Sequence, residues 1–254
     1  MSEKVELIAG LINPDGGEVF HSVTVREMTG VEEDLFTNRK EANQGTLFTT
    51  LLSGKEKGKP GVITTIGDIV NDGDNCRMII HNMFHPDRVK ILLTVRAISH
   101  EDGAEIYPKL SCPHCGEQNA YMVDVLELPV KKKPDPEATG GEFLLPKSGK
   151  LVKYKFLTGK DDLRMTKIRR KGQESLISHL MLMSIKSIEG VEFLELQTIE
   201  NLPMRDRRAL RKEIEEQEGS VDTNIENLCH SCGKDFNIEI DVLDPDFFFG
   251  SRDS

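Results

Sequence analysis

The chain has 254 residues, 37% apolar and 30% charged, with 6% aromatics, no tryptophan and a formal net charge of −10. That balance describes a folded chain of one large or two small domains, not a disordered one, whose cores must come from Leu, Ile, Val, Met and Phe. It excludes a membrane-spanning helix, since no run approaches ~18 apolar residues, and its acidity opposes steering of the whole chain toward nucleic acid. The opening Met-Ser-Glu-Lys-Val-Glu lacks the basic-then-apolar order of a secretory leader, so intracellular synthesis is expected.

In chain order, Leu11-Ile12-Asn13-Pro14-Asp15-Gly16-Gly17 reads as the end of a strand and a tight turn. A period-two strand follows, with Val19, His21, Val23 and Val25 on one face and Ser22, Thr24 and Arg26 on the other. Thr29 and Glu32 have capping-box spacing and predict a helix start. After the basic pair Arg39-Lys40, the stretch from Gln44-Gly45 through Leu47 and Leu51 predicts a second helix. Cys76 reads as a buried, inert thiol. His81, His85 and Asp87 could form a metal site on one helical face, but Pro86 is expected to interrupt that segment. Asp87 then suits the first turn of a helix running through Ile91-Leu92-Leu93. Cys112-Pro113-His114-Cys115-Gly116 and the strand-like Val123 to Leu128 close this first stretch.

The same order then recurs. Leu144 to Gly149 is a strand end and turn, and Val152, Tyr154 and Phe156 alternate with Lys153 and Lys155. Thr158 and Asp161 repeat the capping spacing, and Arg169-Arg170-Lys171 repeat the basic cluster. Gln173-Glu174 lead into a helix with Leu176, Leu180 and Ser184 on one face, and its Met-rich run reads as core. Pro203 and Asp206 open a further helix, which ends at Gly219. Glu213, Glu215, Glu216 and Glu218 crowd its C-terminal end, where acids are unfavourable without a basic partner surface or solvent. Cys229-His230-Ser231-Cys232-Gly233 and Ile240-Asp241-Val242-Leu243-Asp244-Pro245 close it. We therefore expect an α+β fold of two internally duplicated lobes, with the repeats at about 3–128 and 141–246. The domains are 1–128, a Pro- and Lys-rich extended linker at 129–140, and 141–254.

Each Cys-x-x-Cys-Gly turn offers two thiolates, and a tetrahedral structural zinc site needs four. The two turns therefore predict one shared four-cysteine site of Cys112, Cys115, Cys229 and Cys232, which would clamp the lobes together. Bonds near ~2.3 Å require sulfurs under about 4 Å apart within a bound pair. Four sulfurs leave no position for a catalytic water, and His114 and His230 become turn residues. Two alternatives use the same cysteines: thiol exchange at Cys-Pro-His-Cys, which expects a helix N-terminus, and an iron–sulfur cluster.

No Walker A, dinucleotide-binding, His-Glu-x-x-His or EF-hand motif occurs, and no nucleophile–base–acid set can be defended, so an enzyme is not expected. Lys147 to Lys171 holds ten bases and two acids, whereas Glu189 to Asp246 holds sixteen acids and six bases. These read as solvated faces of opposite sign or as docking surfaces. A zinc-ribbon nucleic-acid adaptor is the alternative that the basic stretch allows.

Several stretches resemble the baseplate hub assembly chaperone family of T4-type contractile-tailed phages. They are Arg26 to Asp34, Asn38-Arg39-Lys40, Pro86-Asp87-Arg88 with Ile91-Leu92-Leu93, Arg96 and Ser99, the turn at Cys112, Leu202 to Arg211, and Asp246-Phe247-Phe248-Phe249. The resemblance implies a non-enzymatic role in building the hub of a contractile tail. It implies hub or baseplate proteins as partners, in the cytoplasm of an infected bacterium, and allows retention in the finished tail. Phe247, Phe248 and Phe249 cannot all face one core from a regular element, so they are candidates for anchoring a partner. The alternative is that the tail folds back on its own chain.

Overall fold

Strands β1 (Ser2–Ile12) and β2 (Val19–Arg26) form an antiparallel hairpin whose turn is closed by Asn13 N–H donating to Glu18 O at 2.8 Å. This computed structural model describes residues 2–37, 46–106, 109–170, 175–240, 242 and 246–249. Arg39-Lys40, Gln44-Gly45, Lys171, Gln173-Glu174, Asp241 and Leu243-Asp244-Pro245 lie outside them. The pairing register shifts between Glu6 and Leu11, and the shift reverses the phase of the hairpin. Val23 and Val25 face the core as expected, but towards the turn Phe20 is buried and His21 exposed, which corrects the expected face for His21.

Helix α1 (Gly30–Thr37) follows the hairpin, and α2 (Leu47–Ser53) packs beneath it. A small hairpin, β3 (Gly54–Glu56) and β4 (Lys59–Pro60), precedes β5 (Ile63–Ile66) and β6 (Ile69–Val70), which complete a sheet ordered β1-β2-β5-β6. Helix α3 (Arg77–His81) ends before Pro86, and a new helix, α4 (His85–Ser99), begins there, so His81 and His85 belong to different helices. Two short pairs follow: β7 (Glu105–Ile106) with β10 (Val123–Asp124), and between them β8 (Lys109–Ser111) with β9 (Gln118–Ala120).

Strand β11 (Val130–Lys131) leads to the hairpin β12 (Gly140–Leu144) and β13 (Leu151–Lys155), where Val152 and Tyr154 are buried and Lys153 is exposed. A 3-10 turn (Gly159–Asp161) enters α5 (Asp162–Arg170), then α6 (Leu176–Ser184) and β14 (Ile185–Ile188), which joins β13. Helix α7 (Leu196–Glu200) precedes α8 (Met204–Glu218), β15 (Ser220–Val221), and the hairpin β16 (Asn224–Leu228) and β17 (Asp235–Glu239). Helix α9 (Asp246–Phe249) comes last.

Two main cores form, and each borrows from the other half. Val242 and Phe248 enter the core built on β1, β2 and β5, while Ala9 and Phe84 enter the core of Val152, Tyr154 and Leu210. Phe84 meets Phe156 edge-on at 5.8 Å.

The segment 129–140, expected as an extended linker, is mostly exposed, but two points tie it to the fold. β11 pairs with β15, and Lys133 is buried with its Nζ 4.3 Å from the centre of the Phe84 ring. Its Nζ also donates to Pro136 O at 3.0 Å, and burial pulls its pKa down to about 8. The Phe247-Phe248 tail folds back on its own chain, the arrangement set beside the partner anchor as its alternative. Phe248 is 1% exposed and packs on Phe36 and Phe48, while Arg96 lies over the Phe247 ring. The carbonyls of Phe247 and Phe248 accept from Arg96 Nε at 3.2 Å and pair with His100 Nε2 at 2.8 Å. Burying an aromatic ring outweighs the cost of ordering this short tail. Of Phe249 the structure describes only the helical backbone.

Candidate metal centre

Each cysteine pair sits in the turn of its own two-stranded hairpin, and the two turns are built alike. In the first, Ser111 faces Gln118, Cys112 N–H donates to Glu117 O at 2.8 Å, and Gly116 N–H donates to Cys112 O at 2.8 Å. In the second, Leu228 faces Asp235, Cys229 N–H donates to Lys234 O at 3.0 Å, and Gly233 N–H donates to Cys229 O at 2.9 Å. Gly116 and Gly233 close these turns at φ of 77° and 66°, the left-handed region in which a side chain is strained.

The hairpins meet turn to turn. All four sulfurs lie within 4.8 Å of one another, with Cys112 Sγ 3.7 Å from Cys232 Sγ and Cys115 Sγ 3.6 Å from Cys229 Sγ. Thus both close contacts join one half of the chain to the other. Cys112 and Cys229 are buried, and Cys115 and Cys232 are exposed.

The neighbours hold the two turns in register. Tyr121, just past the first hairpin, stacks on His230 at 5.5 Å and meets Phe236 edge-on at 5.8 Å. Its hydroxyl donates to Leu228 O at 3.0 Å, and His114 Nε2 reaches Asp235 O at 3.2 Å. His114 and His230 therefore act as turn and packing residues, and their rings bridge the halves. Tyr121 and Phe236 were not singled out from sequence. A faint signal was present, since each is an aromatic shortly after a Cys-x-x-Cys-Gly turn.

Four thiols this close cannot ionise independently. The backbone N–H of Cys232 points at Cys229 and, despite some loss of water, pulls that thiol down to about 6. Cys115 goes the other way: although the N–H of Glu117 favours its thiolate, loss of water and hydrogen bonds with the Cys229, Cys112 and Cys232 sulfurs push it up to about 12. A divalent cation removes that conflict by stabilising all four thiolates at once. The donor set and its spacing fit a structural ion such as Zn²⁺. Cys112 stands in a hairpin turn and not at a helix N-terminus, unlike a low-pKa exchange cysteine. Cys76 is fully buried elsewhere, and burial raises its thiol to about 11.

Among the described residues, no helix is long and apolar enough to cross a membrane. The family model described as "T4 bacteriophage base plate protein" matches residues 12–249. No curated protein and no solved structure matches the chain.

Proposed function

Because the chain belongs to the T4 bacteriophage base plate protein family, we propose that it is a non-enzymatic adaptor or assembly chaperone for the hub of a contractile tail. The observation that carries this reading is a family match over nearly the whole chain, both cysteine turns included. In this reading its partners are hub or other tail proteins, met in the host cytoplasm during assembly, and the same contacts serve equally to retain it in the finished baseplate.

Residues 1–128 and 141–254 are copies of one lobe, and 129–140 connect them. Three matched pairs of contacts support the duplication. Thr29 N–H donates to Glu32 at 2.8 Å, and Thr158 N–H to Asp161 at 3.1 Å. Arg26 pairs with Glu32, and Lys155 with Asp161, each at 2.7 Å. Arg88 donates to Thr49 at 3.1 Å, and Arg207 to Ser178 at 2.7 Å. Cys112, Cys115, Cys229 and Cys232 would hold one Zn²⁺ whose work is structural, fastening the two hairpin turns to each other.

The test is co-expression of the intact chain with the hub proteins of its own tail. A stable complex that carries one zinc per chain supports the reading. A chain that ignores hub proteins but binds DNA tightly and in a salt-sensitive way supports the nucleic-acid adaptor instead.

A further inference from the structure

Within the chain, the two halves touch through unlike surfaces. The segment before and into α4 receives the capping turn that starts the 3-10 turn. Phe84 bridges Thr158, Gly159 N–H donates to Met83 O at 3.2 Å, and Arg88 Nη2 binds Asp162 Oδ2 at 2.6 Å. Arg88 is 2% exposed at this contact, and Gly159 is buried. The approach is close enough to demand glycine, since a Cβ on Gly159 would lie 2.4 Å from Arg88 Nη1.

The matched contacts above assign a counterpart to each half of this joint. The counterpart of Arg88 is Arg207, bonded to Ser178 as Arg88 is to Thr49. The counterpart of the Thr158-Gly159-Asp162 turn is Thr29-Gly30-Glu33. These two counterparts do not meet each other. Arg207 is half-buried and pairs with no carboxylate among the described residues, and Glu33 is exposed. The apolar side chains beside them are open to solvent: Met204 is 62% exposed and Val31 71%. Gly30 has nothing within 4 Å of a Cβ placed on it, so nothing described within the chain explains glycine there.

A joint between unlike surfaces leaves one unused face at each end, and such faces pair between copies. We infer that a second copy of this chain docks head-to-tail, its Thr29-Gly30-Glu33 turn seating on the Pro203–Arg207 segment with Glu33 paired to Arg207. The charges are complementary, the exposed Val31 and Met204 supply apolar cover, and Gly30 allows the approach that Gly159 allows inside the chain. This inference rests on the proposed duplication of the two halves.

Sedimentation of the purified full chain across a concentration series tests it. The expected result is mass that rises with concentration. Glu33→Arg and Arg207→Glu should each weaken association about thirty-fold or more. An equimolar mixture of the two variants should recover it, because each supplies the charge that the other now lacks. Gly30→Leu, at a site with room in the single chain, should abolish association with folding unchanged. A chain monomeric at every concentration overturns the inference, as does association indifferent to all three substitutions. Monomers that lose hub binding on Arg207→Glu would also overturn it, by assigning the face to a hub protein. Each of these failures leaves zinc content and hub binding of the wild-type chain, on which the proposed function stands, separately measurable.

Discussion

Asp87 and Asp206 occupy the same position in the two halves: each is the third residue of a 15-residue helix, and each is fully buried. Each carboxylate accepts two backbone N–H groups from the first hairpin of its own half. Asp87 takes those of Ile8 and Ala9 beside the register shift in β1. Asp206 takes Lys147 at 2.7 Å and Ser148 at 3.0 Å in the turn after β12. In both halves the helix start is pinned to the hairpin by one acid in its first turn, where a carboxylate also suits the positive end of the helix dipole.

Replacing either acid should loosen hairpin from helix. Asp87→Ala leaves two buried amides without acceptors and should cost about 2–4 kcal/mol in urea unfolding. Asp206→Ala should act in the same direction, and hydrogen exchange should accelerate at Lys147 and Ser148. Unchanged stability in both variants would refute this pinning.

Metal content gives the next prediction. The intact chain should hold one zinc, and Cys112→Ser or Cys229→Ser should lower stability by at least about 4 kcal/mol. A chelator should reproduce most of that loss in the wild type. Cys76→Ala serves as the control: it should keep the zinc and cost only what a small buried cavity costs.

The joint at Arg88 can be dissected by a double-mutant cycle. Gly159→Ala places a methyl group against Arg88 and should destabilise by about 1–3 kcal/mol. In an Arg88→Ala background the same substitution should be much milder, since the clashing group is gone. Additive effects would show that the glycine is needed for another reason.

Phe248→Ala should cost about 3–5 kcal/mol, the range for an aromatic removed from a core. Thermal unfolding measures this directly. A loss under about 1 kcal/mol would return the tail to the role of a partner anchor.

Acid–base linkage centres on Glu218. Burial pushes its carboxyl up to about 7, and its Oε1 has no hydrogen-bond partner among the described residues. The folded chain therefore holds this proton more tightly than the unfolded chain, whose carboxyl titrates near 4.5. Stability from this group is fully present below pH ~4.5 and is lost as pH rises to about 7, by up to about 3 kcal/mol. Asp87, raised to about 6 by burial, adds the same sign over a narrower window. Glu218→Gln should remove its share, so the stability difference between variant and wild type should grow from pH 4.5 to 7 and then level off. A flat difference would refute the assignment.

The local devices were legible in the sequence because each closes over a few residues. Thr29 with Glu32, Thr158 with Asp161, the Gly17 turn and both Cys-x-x-Cys-Gly turns are bonds between near neighbours, and residue type and spacing alone dictate them. The four metal-ligand candidates could be read the same way, since each pair is complete within its own turn. Other features waited for the tertiary structure: Lys133 buried against Phe84, Phe248 inserted beside Phe36, His21 turned outward, and Arg88 paired with Asp162 across 74 residues. Each of these is decided by which surfaces meet when the halves pack. A lysine in a Pro-rich stretch or three phenylalanines near the end carry no spacing that names a distant partner, and only the geometry of the assembled cores selects one.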